Sequence, residues 1–130
     1  MTDLDITVTG LRELLVDLAK AERIQPAVRA VVQRGALNVK QDWARRWSGI
    51  AHAPALARAI TYDTKETAGQ VSAEIGPDKG RRQGALGNII EFGTSKNAPI
   101  PGGMPALAAE GPRFEKALAD VAEKALAGDG

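Results

Sequence analysis

Residues 26–47 read PAVRAVVQRGALNVKQDWARRW, and this stretch decides the fold. Val28, Val32, Ala36, Val39, Trp43 and Trp47 recur at steps of three or four and fall on one arc of a helix. Arg34 and Arg45 point away from that arc, and Arg29 and Lys40 flank it. Arg46 lies in phase with Val28 near the helix end, where a cation meets unpaired carbonyls. Pro26 suits the first position of such a helix, and Ser48-Gly49 suits its stop. At 1.5 Å per residue the element would be about 30 Å long, the backbone of a small domain.

The rest of the chain arranges itself around that helix. Upstream, Leu4, Ile6 and Val8 alternate with Asp5 and Thr7, which predicts a short edge strand with one buried face. Thr9 offers an N-cap, and Leu11, Leu14, Leu15 and Leu18 predict a separate helix from Gly10 to Arg23. Downstream, residues 50–54 read as a linker. Residues 57–63 and Val71 to Ile75 read as two strands of a hairpin turning through residues 65–69. A glycine-rich surface loop spans residues 76–84. Residues 85–92 fit either a short helix or a strand, and Leu86, Ile89 and Ile90 at i, i+3, i+4 favour the helix. Pro99, Pro101 and Pro105 with Gly102 and Gly103 read as an extended tether. Gly111 and Pro112 then open a last helix with Phe114, Leu118, Val121 and Ala125 on one face. The expected architecture is one α+β domain over residues 1–130: a small antiparallel sheet with a long helix and a C-terminal helix packed on one face.

Composition narrows the function. The 130 residues carry a formal net charge of +1, so no global field favours nucleic acid or membrane. There are no cysteines, which excludes disulfides, thiol catalysis and cysteine-ligated metal. Aromatics are only 4% of the chain, so Trp43, Trp47, Tyr62, Phe92 and Phe114 are each expected to matter to packing. The acidic start, Met1 to Asp5, lacks the apolar region of a signal peptide, and no apolar run approaches the ~20 residues of a membrane span.

Candidate chemistry is sparse. His52, the one histidine, has no partner at metal or hydrolase spacing and reads as a linker residue. The glycines of residues 76–87 match neither phosphate-binding pattern. Lys79, Arg81 and Arg82 in that loop are either solvated or contacts for a partner. Glu91, between Ile90 and Phe92 and followed by Gly93, is either a general acid or base, or a carboxylate satisfied by backbone N–H groups or an arginine. With no second carboxylate or histidine beside it, the structural role is favoured. Phe92 is then expected to anchor the corner and Gly93 to turn the chain. The helix of residues 26–47 is rich in cations, whereas the last helix and its approach carry Glu110, Glu115, Asp120, Glu123 and Asp129. That asymmetry suits subunits orienting basic side to acidic side, intramolecular pairing, or plain solvated faces.

Ile90-Glu91-Phe92-Gly93-Thr94, then Ser95-Lys96, a proline-containing loop and Pro105-Ala106-Leu107, resembles the tail-completion proteins of long-tailed bacteriophages. Val8-Thr9-Gly10-Leu11 with Leu14 and Leu18 is similar to the N-terminal opening of that family, and residues 56–60 stand where it has a strand entry. Pro101-Gly102-Gly103-Met104 departs from its usual proline-phenylalanine, and Ala59 from its usual serine. The resemblance implies a structural virion protein of the head–tail neck, present in the host cytoplasm during assembly, with no enzymatic activity and no cofactor. It implies a homo-oligomeric ring, a hexamer, meeting neighbouring neck and tail-tube or terminator proteins, with DNA in the channel. Ile100 and Met104, beside Lys79, Arg81 and Arg82, are the expected contact residues. Two alternatives stand beside this reading: a tail terminator capping the tube, and a small nucleic-acid-binding module. Deleting residues 98–103 is expected to leave a folded monomer that cannot join tails to heads.

Overall fold

A computed structural model describes residues 4–8, 18–50, 53–78, 80, 81 and 83–126. Its sheet has three antiparallel strands, β1 (Leu4–Val8), β2 (Ile60–Thr67) and β3 (Gln70–Pro77), with β3 in the centre. Val71, Ala73 and Ile75 on β3 are buried, as period-two alternation requires of a one-sided sheet. On the edge strand β1, Ile6 faces Ala73 and is also buried. The hairpin begins later and runs further than the spacing predicts. Residues 57–59 form a 3-10 turn, β2 starts at Ile60, and the chain reverses at Ala68-Gly69, so that Thr67 pairs with Gln70.

One long helix, α1 (Leu18–Trp47), crosses the buried face. Its arc is as read from the spacing: Val28, Val32, Ala36, Val39, Trp43 and Trp47 are all buried. The predicted break before Pro26 is absent, and the helix runs through that residue. An internal proline costs an α-helix about 3 kcal/mol, so the turn upstream must be held by other contacts. Two are present. Ile24 is buried in the core, and Gln25 clamps the hairpin tip: its Nε2 donates to the Thr67 carbonyl at 2.8 Å, and its Oε1 accepts from Gly69 N–H at 3.0 Å. The predicted helix start at Gly10, up to residue 17, lies outside the described residues.

Past Gly49 the expected linker is instead a buried ladder of tight turns. Ala53 donates to Ile50, Leu56 to Ala53 and Ala59 to Leu56, at 3.0–3.2 Å. Ile50, Ala53 and Leu56 all join the core. Residues 84–86 form a further 3-10 turn leading into α2 (Gly87–Phe92), a short helix as favoured above.

The last helix, α3 (Gly103–Leu126), begins eight residues before the predicted start at Gly111, with Pro112 inside it. Pro105 is its third residue, where a backbone N–H would have no intrahelical partner, so this proline does not interrupt it. Buried Ala106 and Glu110 hold the turns before Pro112. Helix α3 packs along α1, and Phe114 reaches the groove left by Gly35, where a Cβ would stand 3.0 Å from its ring and 3.6 Å from Ile6. Both helices therefore cover the same face of the sheet, in an α+β arrangement.

Candidate interaction site

The functional candidates gather where α2, residues 93–102 and the start of α3 meet the end of α1. Gly102 and Gly103 lie directly on the two tryptophans. A Cβ on Gly102 would fall 2.6 Å from Trp47 Nε1, and one on Gly103 2.8 Å from Trp43 Cη2. The rings themselves pack edge to face, with centroids 5.5 Å apart at 75°. The backbone can approach this closely only because neither residue has a side chain.

Glu91 locks that approach. Gly102 N–H donates to both oxygens of its carboxylate, each at 3.1 Å, and Gly103 N–H donates to Oε1 at 3.1 Å. Only 5% of Glu91 is exposed. The carboxylate sits at the N-terminus of α3, where free N–H groups and the helix dipole favour an anion. Of the two roles considered for Glu91, the geometry matches the carboxylate satisfied by backbone N–H groups.

The tether is held at both ends and in its middle. Ile100 N–H donates to the Ile90 carbonyl at 2.7 Å, and Trp47 Nε1 donates to the Ile100 carbonyl at 2.8 Å. Residues 94–97 form a turn in which Thr94 Oγ1 accepts from Lys96 N–H at 3.2 Å and from Asn97 N–H at 3.1 Å. Gly93 turns the chain as expected, with φ at 74°. It also lies close to residues 97–99, where a Cβ would meet the Asn97 carbonyl at 2.7 Å. Residues 93–102 are therefore a pinned strap rather than an extended arm.

Phe92 does not anchor the corner. It is 59% exposed, and Ile90, buried on the other side of α2, packs in its place. Exposed large apolar side chains among the described residues are Ile89 at 47%, Phe92, Ile100 at 37% and Met104 at 55%. All four fall within residues 89–104. Ile89 and Ile100, with Leu86, Ile90, Asn97 and Ala98, line a mainly apolar groove of about 350 Å³. The expected contact Ile100 shares this groove with Ile89, and the expected contact Met104 is exposed in the same segment as Phe92; sequence reasoning had placed Ile89 and Phe92 in packing roles. Their i, i+3 spacing along α2 was the available signal for a shared outer face.

Of the basic candidates in the loop of residues 76–84, Arg81 lies among the described residues. Arg81 is exposed, with its Nε 3.6 Å from Asp78 Oδ2 and its Nη1 donating to the Arg58 carbonyl at 3.5 Å. Lys79, Arg82 and His52 lie outside the described residues. Among the described residues no ion pair links the two charged helices: Asp42 binds Arg45 and Arg46 within α1, and Glu110 binds Arg113 within α3. Across the seam Asn38 Nδ2 donates to Glu110 Oε2 at 3.1 Å. Among the described residues no group of three or more acidic or histidine side chains forms a metal cradle, and no helix is long and apolar enough to cross a membrane. In comparisons with known proteins, no family model, curated protein or solved structure matches the chain.

Proposed function

We propose that this chain is a structural assembly protein that acts through its surfaces, with tail completion at the phage head–tail neck as the specific role. One observation carries the reading. Among the described residues, the large apolar side chains left in water fall within residues 89–104, a segment pinned by Glu91, Gly93 and the two tryptophans. Exposed apolar side chains gathered in one segment, two of them lining a shared groove on a fixed frame, suit a protein–protein contact. Because the frame is already ordered, docking avoids most of the roughly 1–2 kcal/mol per residue that ordering a loose loop would cost. The residues that resemble the tail-completion family, Ile90 to Thr94 and Pro105, build this frame. Ile89, Phe92, Ile100 and Met104 form the contact face on it. On this reading the chain has no catalytic step and no cofactor, and its site of action is the virion neck.

The test is complementation of phage particles assembled without this chain. Wild-type protein is expected to restore infectivity, and the Ile89→Ser/Phe92→Ser double variant, unchanged in circular dichroism, is not. Full restoration by that variant, or none by wild type, would end the proposal. Binding of duplex DNA that weakens steeply between about 50 and about 200 mM salt would favour the nucleic-acid module instead.

A further inference from the structure

An open trough lies along the seam of α1 and α3, and its two parts differ in character. The first is a mainly apolar slot of about 270 Å³. Val31, Arg34, Gly35 and Asn38 line it on α1. Glu110, Arg113, Phe114 and Ala117 line it on α3. Each set is spaced i, i+3, i+4, i+7, the outline of the hole that one side chain of a neighbouring helix fills. The second part is a polar bowl of about 320 Å³. Asn38, Gln41, Asp42 and Arg45 line it on α1, the same outline moved on by seven residues, with Arg34 and Arg113 beside them. Seven residues of helix are about 10 Å. Arg34, Asn38 and Arg113 belong to both parts, so slot and bowl adjoin.

The bowl is arranged for an anion. Its one carboxylate, Asp42, is 7% exposed and already accepts from Arg45 Nη2 at 2.8 Å and Arg46 Nε at 3.1 Å. Arg113 is braced from behind, its Nε donating to Glu110 Oε1 at 2.8 Å. Arg34 is exposed, with no hydrogen bond or ion pair among the described residues. Three guanidinium groups against one neutralised carboxylate leave the bowl with surplus positive charge. We infer that the trough receives an amphipathic helix of a different protein, which places an apolar side chain in the slot and, seven residues along the same face, a carboxylate in the bowl. The spacing selects a helix. In an extended strand about 10 Å is three residues, and residues three apart point to opposite faces. A nucleic-acid backbone would suit the bowl but not the apolar slot beside it, and a net charge of +1 gives it no general attraction. A second copy lacks the matching face. Among the described residues, the exposed large apolar side chains on helices are Ile89, Phe92 and Met104, and none has a carboxylate seven residues before or after it. The inference rests on the assembly reading only in taking a protein as the occupant.

The probe is a fluorescein-labelled alanine–glutamine helix of about 16 residues that carries one leucine and one glutamate seven positions apart. Fluorescence anisotropy at about 50 mM salt reads its binding to the whole chain. Binding is expected, and it should weaken roughly tenfold when the leucine becomes serine and roughly tenfold when the glutamate becomes glutamine. Arg34 has no internal partner among the described residues, so Arg34→Ala should fold as wild type by circular dichroism and weaken the probe roughly tenfold. The Ile89→Ser/Phe92→Ser variant should bind the probe as wild type does, so the trough and the apolar face fail separately. No binding at about 1 mM protein overturns the inference. Equal binding of the serine or glutamine peptide, or undiminished binding by Arg34→Ala, does so as well. Duplex DNA retained by wild type and released by Arg34→Ala would assign the bowl to phosphate. Self-association of wild type that Arg34→Ala abolishes would assign the trough to a second copy. Either result overturns the inference.

Discussion

At the scale of single residues, Glu91 and the Gly102-Gly103 pair depend on each other. The glycines let the strap lie on the tryptophans, and the carboxylate satisfies the N–H groups that this approach would otherwise leave buried and unpaired. Glu91→Ala orphans those donors and should lower stability by about 1–3 kcal/mol, while Glu91→Gln, which keeps an acceptor, should lower it less. Denaturant titration separates the two. Gly102→Ala or Gly103→Ala should cost a similar amount, about 1–3 kcal/mol, by overpacking against the rings, with a shift in tryptophan emission as the local readout. The tryptophans are not equivalent either. Trp47 Nε1 reaches the Ile100 carbonyl, whereas Trp43 Nε1 is buried with no hydrogen-bond partner among the described residues. Trp47→Phe is therefore expected to destabilise more than Trp43→Phe, and equal effects would show that the strap bond contributes nothing.

Among the elements, the hairpin tip and the start of α1 stabilise one another. Glu66 at the end of β2 accepts from Arg29 Nη2 and Gln25 Nε2, both at 2.9 Å. These hydrogen bonds, from Arg29 first and then Gln25, hold the Glu66 carboxyl down to about 2 from its ordinary 4.5. A carboxylate with a depressed folded-state pKa contributes stability that is fully present above its unfolded value and lost as pH falls through its folded value. The contribution of this clamp should therefore fade between about pH 4.5 and 2. Glu66→Gln should flatten that part of the stability profile relative to wild type, and an unchanged slope would remove Glu66 from the account. The strap alters an expectation at this scale too. Deleting residues 98–103 removes the Ile100 bonds, both donors to Glu91 and the cover of two tryptophans. Such a chain should lose cooperative unfolding rather than remain a folded monomer, so side-chain changes on the outer face are the proper probe of function.

For the molecule as a whole, the proposed contact face on residues 89–104 is apolar, so it should hold a partner nearly independently of ionic strength. Ile89, Phe92, Ile100 and Met104 stand on one pinned segment, so a Phe92→Asp variant is expected to fold as wild type by circular dichroism while failing to complement particles. Full complementation by a folded Phe92→Asp chain would take Phe92 out of the contact face.

The α+β class, the buried arc of α1 and the central strand β3 were all legible in the chain, because each rests on local periodicity that burial on one side imposes. So was the possibility that Glu91 is satisfied by backbone donors, since an isolated carboxylate beside a turn glycine has few other stable roles. The positions of Pro26, Pro112 and Phe92 were not. Both prolines sit inside helices because distant contacts, through Ile24, Gln25, Ala106 and Glu110, hold the preceding turns, and propensity rules see only neighbours in sequence. Phe92 faces water because Ile90 packs into the core and Glu91 turns inward to meet the start of α3, and at about 100° per residue Phe92 then stands about 200° from Ile90. Side-chain chemistry and its local repeat were written in the sequence. Which side of each element met the core, and which was left for a partner, was decided only when segments far apart in the chain packed together.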